Sequence, residues 1–180
     1  MQFKKPGPAN TAATLNAAHA RAAELEITEI VIATSSGDTI YKALELFPAD
    51  QLIAVTYHCG FRKPFEPVLP PDTRKDLADK GVAMVSATHA LSGVERSVFQ
   101  KYQGAYPVLM IADTLRLFGQ GVKVTVEIAV MAADAGLLSG QDIIAIGGTA
   151  KGADAAAVIR PAHMNTFFDL KIREIICKPN

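Results

Sequence analysis

A hydroxyl-rich segment, Thr34–Thr39, is the clearest candidate for chemistry in this sequence. It reads Thr-Ser-Ser-Gly-Asp-Thr and stands between a β-branched run, Ile30–Ile32, and a helical pattern of apolar residues. Backbone N–H groups at a helix start point outward, and hydroxyls beside them add donors, which together bind phosphate. The segment therefore predicts a phosphate site formed by Thr34, Ser35, Ser36, Gly37 and Thr39. The alternative is an ordinary strand-to-helix turn in which Ser36 or Asp38 caps the helix.

A second small-residue segment, Gly147–Gly152, follows the fourth predicted strand and reads Gly-Gly-Thr-Ala-Lys-Gly. Glycine lets the backbone approach a ligand closely, and Lys151 adds a point charge. The segment lacks the Gly-x-x-x-x-Gly-Lys-Ser/Thr order of a P-loop. A doubly wound sheet would bring it beside Thr34–Thr39, where ligands bind outside the carboxyl ends of the strands. We therefore assign Gly148, Thr149 and Lys151 to the site, against the alternative of a plain turn.

Two histidines, His58 and His89, follow the second and third predicted strands, so both should lie at the same sheet edge. Each could hydrogen-bond a ligand or act as general acid or base; the alternative is a loop imidazole bonded to backbone or solvent. We assign three neighbours on the chain to the same ligand site: Thr56, Gly60 and Phe61. No two histidines have a zinc-type spacing, and we expect no metal site.

Glu127 stands among apolar residues, and a buried carboxylate must be paired or protonated. One interpretation is a structural ion pair with Lys123, four residues earlier, or with Arg116. The other is a general base, or an acceptor for a ligand hydroxyl. The candidate catalytic residues are therefore His89, His58 and Glu127, and no serine stands in a nucleophile elbow.

The elements that must position these residues follow from five short apolar runs, which predict strands. The runs are residues 29–33, 52–56, 82–85, 143–146 and 170–176. The last carries charges and is predicted to lie near the sheet edge, antiparallel to its neighbour. Helical patterns separate the others, as in a parallel sheet. We predict one three-layer α/β/α domain over residues 1–180, with a mostly parallel sheet of about five strands and helices on both faces.

Some stretches depart from this alternation. Residues 1–9 are polar with two prolines and are predicted to be poorly ordered. Residues 57–72 contain four prolines, which predicts a loop and a candidate lid. Residues 122–135 begin with alternating valines but continue into an alanine-rich run before Gly136, and we predict a helix. Ser92 and Glu95 have the spacing of a capping box.

Composition narrows the class of protein. The 180 residues are 49% hydrophobic and 20% charged, as in a globular domain. Eighteen basic and 18 acidic residues cancel, which argues against nucleic acid as a partner. No apolar run reaches the roughly 18 residues of a membrane span, and the first ten residues have no secretory apolar core. Cys59 and Cys177 lack metal-ligand spacing, so we expect reduced thiols and a cytoplasmic protein, compatible with a homo-oligomer.

Two stretches resemble the C-terminal α/β domain of pyruvate kinase: residues 30–56, with their Thr-x-Ser-Gly-x-Thr loop, and residues 132–148. Four further motifs are similar to a stand-alone family of uncharacterised prokaryotic proteins related to that domain. They are His58-x-Gly60-Phe61-Arg62, His89–Val94, Val126–Gly136 and Pro161–Asn165. Together the resemblance covers about residues 28–176.

The resemblance implies a small α/β protein without a catalytic barrel, so no phosphotransfer from phosphoenolpyruvate is expected. Members of that family are seen with bound flavin mononucleotide (FMN), and no reaction is assigned to them. Asp38 stands where the pyruvate kinase effector loop often has a basic residue. Either Asp38 caps outward, or the ligand is not a sugar bisphosphate; a flavin nucleotide fits the second case.

We therefore expect a cytoplasmic binding protein for a phosphorylated small molecule, with FMN as the first choice and neither nucleic acid nor membrane as partner. The alternative is an enzyme on a phospho-metabolite or flavin-linked substrate, with His89, His58 or Glu127 as acid or base.

Overall fold

Each of the five apolar runs forms a strand, and two more strands join them in one sheet. The computed structural model describes all residues, 1–180. The strands are β1 (Gln2–Phe3), β2 (Ile30–Ala33), β3 (Leu52–Thr56), β4 (Ala83–Ser86), β5 (Ile143–Gly147), β6 (Ala155–Arg160) and β7 (Lys171–Pro179). The helices are α1 (Thr11–Leu25), α2 (Asp38–Ala43), α3 (Pro71–Asp79), α4 (Gly93–Tyr102), α5 (Pro107–Arg116) and α6 (Gln120–Asp134). None of them combines the length and the apolarity that crossing a bilayer requires.

The strand order is β1-β7-β6-β5-β2-β3-β4. Strands β5, β2, β3 and β4 run parallel, β6 is antiparallel to both β5 and β7, and β1 is parallel to β7. The mostly parallel sheet is thus confirmed, but there are seven strands rather than about five. The last strand, β7, is antiparallel to β6 and runs in the same direction as the four central strands. The two additional strands are β6, in the interior of the sheet, and β1, at its edge. Strand β6 is rich in alanine, a weak strand former, and β1 is only two residues long.

Alternate residues of the central strands face opposite layers, which makes the domain three-layered as predicted. In β2, Ile30 and Ile32 pack in a core with α1, α2 and α3, whereas Val31 packs in a second core with α5 and α6. All three side chains are fully buried. Because both faces of these strands are covered, their sequences are continuously apolar and show no alternation with polar residues.

The difficult stretch at residues 122–135 is a helix, as predicted. Twelve of the 15 residues of α6 are buried, because the helix lies between the sheet and α5. A helix enclosed on most sides is apolar nearly all round, which explains why its valines imitate a strand pattern. Gly136 follows it with φ +72°, the left-handed conformation expected after a helix end.

Three local expectations are corrected by the structure. Residues 1–9 are ordered by pairing, since Gln2 and Phe3 form β1 beside Lys178 and Pro179. The proline-rich loop ends at Pro70, because Pro71 occupies the first turn of α3, where a missing N–H is harmless.

The capping box is not formed either. Ser92 makes no side-chain cap, and the Glu95 carboxylate accepts the N–H of Val108 at 3.0 Å instead. Glu95 therefore stabilises the first turn of α5 and not that of its own helix, because the chain turns back between α4 and α5.

Candidate functional site

A cleft of about 880 Å³ opens at the carboxyl ends of β2, β3 and β5. The chain leaves β2 for β3 on one side, whereas β5 adds to the other side of β2, so the cleft lies at the switch point of the sheet. Ligands of open α/β sheets bind at such points, and the volume is within the range of small-molecule sites. One wall is made by the loops that follow the strands, and the other by α4, α5 and α6.

Most of the residues assigned from the sequence meet in this cleft. Those lining it are Thr34, Ser35, Ser36, Thr39, Thr56, Phe61, His89, Glu127, Gly148, Thr149 and Lys151. Three assigned residues, Gly37, His58 and Gly60, do not line it. Nearness to a strand end does not decide this, because Phe61, five residues after β3, lines the cleft and His58, two residues after β3, does not.

The loop after β2 is held together by its own hydroxyls. The Gly37 N–H donates to Thr34 Oγ1 at 3.0 Å, and the Asp38 N–H donates to Ser36 Oγ at 3.4 Å. Both hydroxyl oxygens therefore act as acceptors within the loop, and the hydroxyl protons of Thr34 and Ser36 remain free to donate into the cleft. Gly37 has φ +97° and an added Cβ would lie 2.6 Å from Thr73, so its role is to permit this turn.

The glycines at the end of β5 and directly after it allow neighbouring segments to pack closely. A Cβ on Gly148 would lie 2.2 Å from the Gly152 carbonyl oxygen, and one on Gly147 would lie 2.5 Å from that of Gly121. The loop is therefore folded back on itself and pressed against the start of α6. Thr149 donates its hydroxyl proton to Asp154 at 2.6 Å, and Lys151 is exposed at the rim.

Aromatic rings and imidazoles cluster at the mouth of the cleft, at the base of the proline-rich loop. Tyr57 and Phe61 are stacked with centroids 4.2 Å apart, and His89 meets both edge-on at 5.2 Å. His58 packs edge-on against Phe61 and His89, while its Nδ1 lies 2.8 Å from the Cys59 carbonyl. Because these rings pack on one another, Phe61 presents only one face toward a flat ligand.

A buried ion pair stands in the helical wall, as one of the two interpretations of Glu127 predicted. Lys123 Nζ and Glu127 Oε2 are 2.5 Å apart, with only 6% of each side chain exposed. The other oxygen of Glu127 accepts the Leu91 N–H at 3.0 Å, which ties α6 to the segment before α4. Burial lowers the pKa of Lys123, and the charge of Glu127 opposes that shift.

His89 is held close to this pair. Burial is the main cause that lowers the pKa of His89 below its usual 6.5; Glu127 opposes it, while Lys123, His58 and Arg96 add to the lowering. The imidazole is therefore neutral at physiological pH, and it can donate with one ring nitrogen and accept with the other.

The charges lining the cleft favour an anion. Arg116 pairs with Asp113, and Lys123 pairs with Glu127. The remaining cations, Arg62, Arg96 and Lys151, have no acidic partner, against one unpaired acid, Asp38. Asp38 is the first residue of α2 and is exposed. The net positive charge is about two, which attracts a phosphate dianion.

Sequence reasoning missed Arg96 and Asp154. Arg96 is brought to the cleft by the first turn of α4; the capping-box spacing of Ser92 and Glu95 already predicts this helix start, so Arg96 could have been assigned from the sequence. Asp154 is fully buried, and its partners include Gly7, 147 positions away. Its signal in the sequence is a lone acid between alanines, Ala153-Asp154-Ala155, just after a glycine-rich loop.

The sheet, with helices on both faces, defines the class of three-layer α/β domains. The family model described as pyruvate kinase, alpha/beta domain matches residues 12–160. This match extends over most of the chain, and the protein belongs to that family.

Solved structures with a similar fold include two of a pyruvate kinase from Cryptosporidium parvum. The first is 15% identical with a TM-score of 0.43, over 84% of this chain and 23% of the other. The second, a complex with ADP, is 16% identical with a TM-score of 0.43, over 89% and 25%. The chain thus spans about a quarter of the length of these pyruvate kinases.

Proposed function

We propose that this protein binds a phosphorylated small molecule, with FMN as the first choice, in the cleft between the strand ends and the helical wall. The observation that carries the proposal is the hydrogen-bond polarity of the loop after β2. Thr34 and Ser36 accept backbone N–H groups and keep their own protons for a ligand oxygen. A phosphate offers only acceptors when ionised, so it matches these donors.

The surroundings support the same choice. Unpaired Arg62, Arg96 and Lys151 supply positive charge around the cleft. The free face of Phe61 and the apolar side chains of the helical wall, including Leu109 and Met131, offer a surface for an unsaturated ring system. FMN combines one phosphate, a polyhydroxylated chain and such a ring, and among phosphate esters it is selected by the resemblance to the stand-alone family.

The test is a titration of FMN with purified protein, followed by the emission of the flavin, with riboflavin as the ligand that lacks phosphate. Saturable quenching by FMN at micromolar protein, with riboflavin much weaker, is expected. Ser36→Asp, which places a carboxylate among the donors, should weaken FMN by at least roughly 30-fold, about 2 kcal/mol. Equal affinity of Ser36→Asp and wild type for FMN would remove the loop from the site.

Ser139→Asp is the matched control. Ser139 is exposed, and its hydroxyl oxygen accepts the N–H two residues later at 3.3 Å, as that of Ser36 does at 3.4 Å. It lies away from the cleft lining. This variant should bind FMN as wild type does, and both variants should unfold cooperatively.

A second candidate function is supported by His89, in the loop after β4, together with the ion pair of the helical wall. His89 is neutral, half-buried and close to the Lys123–Glu127 pair, which is the setting of a general base. The enzyme that we propose in this case acts on a phospho-metabolite or a flavin-linked substrate. Its turnover would depend on pH and disappear in His89→Ala; a turnover unchanged in that variant would exclude this role.

The proposal includes a cytoplasmic location, where the exposed Cys59 and the buried Cys177 would stay reduced. It also includes self-association, because the α4–α5 surface exposes large apolar side chains, among them Val94, Tyr102 and Met110. Sedimentation velocity with and without FMN measures the second point, and a single monomeric species in both cases would contradict it.

A further inference from the structure

Asp154 and Thr149 form a part-buried hydrogen-bonded pair in which Thr149 is the donor. Thr149 Oγ1 lies 2.6 Å from Asp154 Oδ2, and the same oxygen accepts the Gly7 N–H at 2.9 Å. Asp154 is fully buried, and its other oxygen, Oδ1, has no hydrogen-bond partner. The pair joins the ligand-lining loop after β5 to the segment that precedes α1.

The carboxyl group of Asp154 is bonded on one side only. Oδ2 receives two donors, the Thr149 hydroxyl and the Gly7 N–H, whereas Oδ1 has none. Oδ1 also lies beside the start of α6, since a Cβ on Gly121 would be 2.6 Å from it. The positive end of this 15-residue helix stabilises a carboxylate there.

Because Thr149 Oγ1 donates to Asp154 Oδ2, the single proton of the Thr149 hydroxyl is committed to Asp154. Thr149 therefore has only lone pairs left for a ligand. Thr34 and Ser36 are in the opposite state, because their oxygens accept backbone N–H groups and their protons are free. Thr149 lines the same cleft and is half-buried.

We propose that Thr149, held by Asp154, is the acceptor that selects a hydrogen-bond donor on the non-phosphate part of the ligand. The ligand class is then a phosphate ester that carries hydroxyl or N–H donors, as the polyol chain of FMN does. Asp154 is a positioning residue that acts through Thr149. The inference rests on the proposed function, which places the ligand in this cleft, and extends it from the phosphate to the rest of the molecule.

The test compares wild type, Thr149→Val and Thr149→Ser with FMN and with riboflavin. Valine keeps the shape and removes the oxygen, so both flavins should weaken by the same factor, roughly tenfold. Serine restores the acceptor, so its affinities should return to within about twofold of wild type. The ratio of FMN to riboflavin affinity should stay constant in both variants, whereas Ser36→Asp should lower it.

Two results would overturn the assignment. If Thr149→Val leaves both affinities unchanged, Thr149 does not contact the ligand. If it weakens FMN alone, Thr149 contacts the phosphate and must be a donor, contrary to the geometry. Thermal unfolding of each variant confirms that the compared proteins are folded.

If the proposed function is wrong, neither FMN nor riboflavin will bind to the wild-type protein. The direction of the Thr149–Asp154 hydrogen bond can then be measured by NMR on the ligand-free protein. A Thr149 hydroxyl proton protected from solvent exchange in wild type, and lost in Asp154→Asn, supports the inference. Rapid exchange of that proton in wild type overturns it.

Discussion

The two walls of the cleft place polar groups in opposite ways. In the strand-end wall the hydroxyls of Thr34, Ser36 and Thr149 stand in loops, each with one part of its hydrogen-bonding capacity fixed and the other open to the cleft. In the helical wall, Lys123 and Glu127 are buried and matched to each other inside α6. The proposed function assigns recognition to the strand-end wall, whereas the paired charges of the helical wall stabilise the fold.

The largest effect on stability should come from breaking the ion pair in the helical wall. Lys123→Met leaves Glu127 as a buried charge without a cation and should lower the free energy of unfolding by about 3–5 kcal/mol. Lys123→Met with Glu127→Gln removes both charges and keeps an oxygen for the Leu91 N–H, so most of the stability should return. Urea unfolding measures both; a loss below about 1 kcal/mol in the single variant would contradict the structural role.

The next effect concerns the strand-end wall. Gly148→Ala places a methyl group against the Gly152 carbonyl oxygen and should lower stability by about 1–3 kcal/mol, because the loop must open. It should also weaken FMN, since Thr149 moves with the loop. Ala150→Ser, an exposed change in the same loop, should alter neither quantity in thermal unfolding and flavin titration. Equal stability and equal FMN affinity of the two variants would show that the loop can accommodate the added methyl group and that its packing does not matter.

The pH dependence of stability tests one residue of the strand-end wall, His89. Because burial lowers the pKa of His89 in the folded protein, the unfolded chain takes up a proton first as the pH falls below 6.5. Stability should therefore fall with pH from 6.5 down through the folded pKa. His89→Gln should remove this part of the decline, as measured by urea unfolding between pH 7.5 and 5. Parallel curves for variant and wild type would place His89 in solvent.

The smallest effect should come from the rim. Lys151 is exposed, so Lys151→Gln should weaken FMN by only about two- to fivefold, or 0.4–1 kcal/mol, and the difference should shrink as salt is raised. Lys75→Gln, an exposed position on α3 outside the cleft, is the control. A loss that persists in high salt would mean that Lys151 folds into the cleft on binding.

The strand ends and the loops behind them could be predicted because continuous apolar runs such as Ile30–Ile32 define covered strands. Parallel strands then bring their carboxyl ends to one edge, which is why His89 and Gly148 meet in the cleft although 59 positions separate them. The ion pair of Glu127 with Lys123 was one of two interpretations, and its four-residue spacing on a helix supports it.

The features that could not be predicted from the sequence depend on contacts between distant residues, which leave no local sequence pattern. Glu95 has the spacing of a cap for its own helix, but the turn between α4 and α5 gives it another partner. Asp154 takes its role from Gly7 and from the start of α6, and β1 exists only because β7 lies beside it. The direction of the Thr149 hydroxyl follows from these distant neighbours, so the sequence alone could assign the residue but not its polarity.

The pairing of β1 with β7 has a consequence for the order in which the sheet is assembled during synthesis. Gln2 and Phe3 cannot join the sheet until Lys178 and Pro179 have left the ribosome, so β1 is placed only after β2 to β6 have been made, although it precedes them in the chain. The turn that follows them fixes Asp154 through Gly7 and packs Pro8 against Gly152. The central strands can therefore pair first, and the loop after β5 acquires a fixed shape only once β7 has been made.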